Sequence, residues 1–143
     1  MDEGVLSPRF RTLCSEHLPY ERALYKHQEN AIRKAVQGRN LVVATGTGSG
    51  KTETFLIPIL NTLLLEEDAG TLRQAGVRAL LLYPMNALAN DQMKRLRSIL
   101  TTYKSITFGR YVGETQNKPK DAQKVFEQNF PAQRPLLTGA DLP

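Results

Sequence analysis

Cysteine is nearly missing from this sequence and tryptophan is wholly missing: Cys14 is the single thiol in 143 residues. One thiol excludes an internal disulfide and a cysteine-rich metal site, and it suits a reducing compartment, so a cytoplasmic protein is expected. With only two histidines beside it, a zinc site has no donor set. No apolar run approaches the roughly 18 residues of a membrane-spanning helix, and the N-terminus lacks the apolar core of a signal peptide. No membrane partner is therefore expected. Runs of five like charges are absent too. The net charge of +5 permits an anionic partner, but the basic residues are spread evenly and mark no face. Adjacent acids are scarce in a telling way: the one Asp-Glu step is Asp2-Glu3, far from any apolar strand.

At 143 residues the chain is one domain or less, with an ordinary hydrophobic share of 41% that can build a core. Residues 1–19 carry Pro8 and Pro19 without a clear period and read as an N-terminal extension. From Glu21 to Gln37, Ala23, Leu24, Ala31, Ile32, Ala35 and Val36 recur at helical spacing, and Gly38 ends the helix. Leu41–Ala44 is a short apolar run that reads as a buried strand. A second helix is expected from Lys51 to about Glu67, with Phe55, Leu56, Ile59, Leu60, Leu63 and Leu64 on a wide apolar face and a kink at Pro58. Val77–Tyr83 is almost wholly apolar and suits a strand covered on both faces. A third helix follows from about Ala87 to Thr102, then a strand over Ser105–Val112 and a short helix over Lys120–Asn129. Strands alternating with helices predict an α/β domain with a parallel sheet flanked by helices.

The most informative stretch joins the first strand to the second helix. Thr45-Gly46-Thr47-Gly48-Ser49-Gly50-Lys51-Thr52 has three glycines in alternate positions, the last of them opening a Gly-Lys-Thr. Glycines let successive backbone N–H groups close on an oxyanion without a Cβ in the way. Lys51 can then reach the β- and γ-phosphates, the Thr52 hydroxyl can ligate Mg²⁺, and the helix adds its positive end. One departure stands out: the pattern G-x-x-x-x-G-K-[ST] has glycine where this chain has Thr45. The alternative is a flexible glycine-rich loop, but the flanking strand and helix patterns are the context that a phosphate loop requires.

Other constellations are weaker one by one. Gln28 carries a donor and an acceptor on one amide and could pair with the N6/N7 edge of adenine, while Tyr25 could offer a ring for stacking. A surface glutamine on an amphipathic helix fits the same spacing. The turn from Tyr83 through Pro84, Met85 and Asn86 to Ala87 would open on the phosphate-loop edge of a parallel sheet, where ligands collect. It could hold a nucleic-acid phosphate or be an ordinary capped turn. Tyr111–Thr115, with Gly113 and the Thr115 hydroxyl, has the same two readings.

Together these blocks resemble a family. Leu24-Tyr25-x-His27-Gln28, ATGTGSGKTE, LLLYPMNALANDQ and YVGET follow in order between about residues 20 and 116. They look like the first half of the first RecA-like lobe of superfamily 2 helicases, the DEAD/DEAH-box group. The YPMNALANDQ wording is closest to large bacterial helicases such as the helicase subunit of DISARM-type phage defence. The resemblance implies a partial RecA-like P-loop domain over residues 20–143 that uses ATP and Mg²⁺. By it, Gln28 takes the adenine-reading role, with Tyr25 beside it as the candidate stacking ring, and Thr45, Gly46, Thr47, Gly48, Ser49, Gly50, Lys51 and Thr52 hold the phosphates. Lys51 is also the catalytic cation and Thr52 the Mg²⁺ ligand. Pro84, Asn86 and Ala87, with Gly113 and Thr115, would track the backbone of single-stranded or duplex nucleic acid. Met85-Asn86 stands where the DEAD-box form has Thr-Arg, so a direct side-chain contact there is in question.

The same resemblance shows what the chain lacks. Hydrolysis needs a carboxylate to hold Mg²⁺ and a neighbour to orient water, supplied in helicases by an Asp-Glu pair ending an apolar strand. No expected strand within these residues ends that way, and the second lobe with its arginine finger is expected to lie outside them. The expectation is an incomplete lobe that partners with a missing C-terminal helicase lobe, with Leu41–Ala44 left with unpaired edges. Two readings follow: the ATP-binding part of an ATP-dependent helicase or translocase, or a non-catalytic nucleotide- or nucleic-acid-binding remnant. A small-molecule kinase or a transporter ATPase is disfavoured, since neither a substrate-lid pattern nor an LSGGQ-type signature occurs.

Overall fold

A computed structural model of the chain describes residues 4–13, 15–113 and 115–129. Among these lie a 3₁₀ turn, Pro8–Thr12, and four α-helices: α1 (Lys26–Val36), α2 (Lys51–Asp68), α3 (Asn86–Ile99) and α4 (Pro119–Asn129). The chain forms two compact units, one ending at Phe108 and the other starting at Gly109. The first holds α1, α2 and α3; the second holds α4. No described helix is long and apolar enough to cross a membrane.

The expected parallel sheet is not there among the described residues. Among the described residues the β pairing is a single isolated antiparallel bridge between Ser15 and Leu18, and 41–44, 77–83 and 105–112 form no ladder. The α/β description with a RecA-like sheet flanked by helices is corrected accordingly: this fold is helices and loops. The physical reason is that a strand is a property of pairs. An apolar run states a preference for burial on two faces, but a ladder needs a neighbour about 4.8 Å away exchanging N–H and C=O bonds. None of the three segments supplies one for another. Their side chains show the result, with Val42 95%, Leu80 77% and Leu82 83% exposed. With no sheet there is also no carboxyl edge to gather the loop and the Pro84–Ala87 turn.

α2 is the centre of the first unit. Leu56, Leu60 and Leu64 recur every four residues on one face, Ile57 sits beside them, and all four are buried. The helix runs on through Pro58. Ile32 of α1, Ile99 and Leu100 at the end of α3, Tyr103 and Ile106 complete the cluster. The N-terminal segment joins it as well: Phe10, Leu13 and Leu18 are core residues. Its attachment is polar and specific. The Ser7 N–H donates to Oδ1 of the buried Asn61 at 2.7 Å, and Arg9 pairs with Glu67 at 2.8 Å and Asp68 at 2.7 Å near the C-terminal end of α2. Those last carbonyls favour a nearby cation. Thr12 and Tyr103 add a hydroxyl–hydroxyl contact.

α1 starts at Lys26 rather than at Glu21. The cause lies in its first turn: Tyr25 is extended, at φ −66° and ψ 152°, and its N–H donates to Gln28 Oε1 at 2.8 Å. That bond satisfies an N-terminal donor in the manner of a capping box and fixes where the helix begins.

Candidate functional site

The site is built where the first turn of α1 meets the start of α2. His27 Nε2 lies 3.0 Å from the Ser49 carbonyl oxygen, and Gln28 Nε2 donates to the Gly50 carbonyl at 2.8 Å. Two consecutive side chains of α1 thus hold the two residues that precede Lys51. Gly50 is required for this approach on two counts. Its φ is +71°, and a Cβ there would lie 2.3 Å from Gln28 Nε2 and 3.0 Å from Glu53 Oε2.

The loop between 45 and 50 is closed by its own side chains. Thr45 Oγ1 and Ser49 Oγ are 2.6 Å apart. Lys51 Nζ donates to the Thr45 carbonyl at 2.8 Å and to the Gly46 carbonyl at 2.7 Å, so the ammonium is folded across the loop. Gly46, Thr47 and Gly48 are exposed. Gly50 caps α2 without a side-chain acceptor, so no cap side chain occupies the donors of the first turn. The first-turn N–H groups of α2, the Lys51 ammonium and the Thr52 hydroxyl are donors of the kind that a phosphate group accepts from. For a hard cation the set is thin: among the described residues no three of His, Cys, Asp and Glu cluster to hold a metal.

Gln28 is buried, and in this arrangement both ends of its amide face the protein, with Oε1 on Tyr25 and Nε2 on Gly50. Tyr25 is 58% exposed and stacks on His27, ring centroids 5.7 Å apart and 10° from parallel. Its outer face is open to a second planar group.

The remaining candidates lie elsewhere. Pro84, Asn86 and Ala87 are exposed at the start of α3, and Met85, not Asn86, is the residue before the first helical turn. Gly113 and Thr115 belong to the second unit. There Thr115 closes a local turn, its N–H donating to the Val112 carbonyl at 2.9 Å and its Oγ1 accepting from the Val112 N–H at 2.9 Å.

Sequence reasoning missed Glu53. It follows Lys51-Thr52 and resembles a helix-dipole acid, yet it is buried and bound to Arg95 at 2.7 Å. A signal was available: Glu53, Ile57, Leu60 and Leu64 share one helical stripe, and a carboxylate on an apolar stripe requires a partner.

Comparison with known proteins gives the family of the chain. Residues 25–133 match the model of the DEAD/DEAH box helicase family. The Druantia protein DruE of Escherichia coli is 42% identical over 106 residues, covering 64% of this chain and 6% of that protein. The ATP-dependent helicase hrq1 of Schizosaccharomyces pombe is 36% identical over 68% of this chain and 9% of its own length. The uncharacterized ATP-dependent helicase YprA of Bacillus subtilis is 36% identical over 71% of this chain and 12% of its own length. The chain therefore spans a small part of these relatives. No solved structure matches it.

Proposed function

Because the chain belongs to the DEAD/DEAH box helicase family, we propose that it is the ATP-binding portion of an ATP-dependent helicase or translocase. The observation that carries this reading is the loop itself. An exposed glycine segment is held at its far end by His27 and Gln28, with Lys51 lying across it on two carbonyls. On this reading Lys51 exchanges the Thr45 and Gly46 carbonyls for phosphate oxygens, a charge-assisted bond in place of neutral ones. Backbone donors of the loop and of the first turn of α2 bind the remaining oxygens, and Thr52 offers its hydroxyl to Mg²⁺. The open face of Tyr25 takes the base by stacking. Bound ATP supplies the phosphoanhydride whose cleavage powers strand movement. Pro84–Ala87, with Gly113 and Thr115, contact the nucleic-acid backbone.

A second reading is favoured by a specific observation. Among the described residues no three of His, Cys, Asp and Glu stand together, and Glu53, two residues beyond Lys51, is committed to Arg95. On that reading these residues bind nucleotide without hydrolysing it. Turnover separates the two. ATP hydrolysis by the 143-residue chain, with and without single-stranded DNA or RNA, is expected to stay at background while binding persists. Strand-stimulated hydrolysis that disappears in Lys51→Ala would show instead that the chain carries its own catalytic carboxylate.

A further inference from the structure

Thr45 stands where the G-x-x-x-x-G-K-[ST] pattern has glycine, and the structure gives its hydroxyl a partner. Thr45 Oγ1 and Ser49 Oγ share a hydrogen bond at 2.6 Å, and both residues are half-buried. Glycine has no hydroxyl, so a loop that follows the pattern cannot make this bond. The two limbs that it joins differ in freedom. Ser49 lies on the limb held by α1, with His27 Nε2 3.0 Å from its carbonyl oxygen and Gln28 Nε2 on Gly50. Thr45 leads instead into the exposed Gly46, Thr47 and Gly48, and a Cβ placed on Gly46 would meet nothing within 4 Å. The Thr45 limb is therefore the movable one, and the hydroxyl pair ties it to the fixed one.

On the Thr45 limb the backbone is turned the wrong way for an anion. The carbonyls of Thr45 and Gly46 both accept from Lys51 Nζ, at 2.8 and 2.7 Å. In a planar trans peptide the N–H points opposite to the C=O. The N–H groups of Gly46 and Thr47 therefore face away from the ammonium. A phosphate beside Lys51 needs donors rather than acceptors there, so both peptides have to turn over before it can settle. Lys51 recovers its bonds from the phosphate oxygens. The Thr45–Ser49 bond has no such replacement once the limbs part, and its loss counts against binding.

We propose that the Thr45 and Ser49 hydroxyls form a latch that keeps the unliganded loop closed on Lys51, so that nucleotide affinity is set by how readily this pair parts. This rests on the nucleotide-binding reading above. A ligand that binds only the open form has its affinity reduced by the fraction of molecules that are open. Removing one hydrogen bond of ordinary net strength raises that fraction by about two- to tenfold.

The test is isothermal titration of the 143-residue chain with ATPγS and Mg²⁺, and its sign decides. Thr45→Val keeps the branched shape and removes the hydroxyl, Ser49→Ala breaks the same bond from the other limb, and Thr45→Ser keeps it. Thr45→Val and Ser49→Ala are each expected to bind about two- to tenfold more tightly than wild type, and Thr45→Ser within about twofold of it. The double variant is expected to gain no more than about twofold over the tighter single one, because both changes remove one bond. Thermal unfolding without nucleotide shows whether each variant is folded, and Ser49→Ala carries the test alone if Thr45→Val is not. Binding that is unchanged or weaker in the folded variants overturns the latch, since the hydroxyls are then idle or contact phosphate. Gains that add in the double variant overturn it too. The nucleotide reading survives all of these results, whereas no binding by wild type or by any variant removes both.

Discussion

The side-chain amide of Gln28 and the backbone of Gly50 are joined at 2.8 Å, across a gap that no Cβ can enter. The contact couples the first turn of α1 to the residue before Lys51 and leaves the loop a single way to enter α2. Gly50→Ala forces a left-handed backbone on a residue with a side chain and drives that Cβ against Gln28. Urea unfolding should report a loss of about 1–3 kcal/mol. A variant as stable as wild type would mean that the clamp is not formed in solution.

Asn61 is a buried polar residue with one purpose visible in its contacts, accepting the Ser7 N–H. Asn61→Leu leaves that donor buried and unpaired, which should lower stability by about 1–3 kcal/mol. Asn61→Asp retains an acceptor and should cost less. Limited trypsin digestion should cut faster after Arg9 and Arg11 in the leucine variant, because the segment loses its attachment. Equal digestion rates would assign the segment's order to Phe10 and Leu13 alone.

The three extended apolar segments yield a sharper test of the fold. Leu80 and Leu82 are exposed, whereas Leu60 is in the core. Leu80→Ser and Leu82→Ser should change the unfolding free energy by no more than about 0.5 kcal/mol, while Leu60→Ala should remove about 2–5 kcal/mol. The serine variants should also associate less, since contiguous exposed apolar residues promote self-association. Thermal unfolding of the wild type is expected below about 50 °C. Large losses at Leu80 and Leu82 would show that a sheet core forms in solution.

Glu29 sets a limit on the acid side. Arg33 donates to it at 3.0 Å and Lys26 lies at 3.4 Å, and the hydrogen bond from Arg33, followed by the Lys26 charge, holds its carboxyl below the usual range. A lowered folded value means that the carboxylate stabilises the fold above its unfolded pKa, near 4.3 for a glutamate. That contribution fades as pH falls through the lowered folded value. Glu29→Gln should flatten this part of the stability–pH curve below about pH 5 and leave the curve above pH 7 parallel to wild type. An unchanged acid limb would show that the pair is solvated.

What the sequence made legible was what contiguous residues carry. Gly50-Lys51-Thr52 defines the loop and the start of α2 without help from elsewhere, and Leu56, Leu60 and Leu64 mark its buried face. Partnerships between distant residues were not legible. Leu41–Ala44 and Val77–Tyr83 have strand composition, but composition names no neighbour, and without one they stay extended and exposed. The residues left Gln28 open between a ligand contact and a surface position, because its burial and its bond to Gly50 depend on how α1 packs on α2. The start of α1 was displaced for a similar reason, since the Gln28–Tyr25 bond fixes the first turn more firmly than apolar periodicity does.

The central claim is that Lys51 and its loop bind nucleotide. Isothermal titration of the 143-residue chain with ATPγS, with and without Mg²⁺, tests it most directly, beside Lys51→Ala. The account predicts one saturable site in the wild type, tighter with Mg²⁺, and loss of at least about tenfold in affinity when the ammonium is removed. Equal heats from wild type and Lys51→Ala, or none from the wild type at millimolar nucleotide, would contradict it.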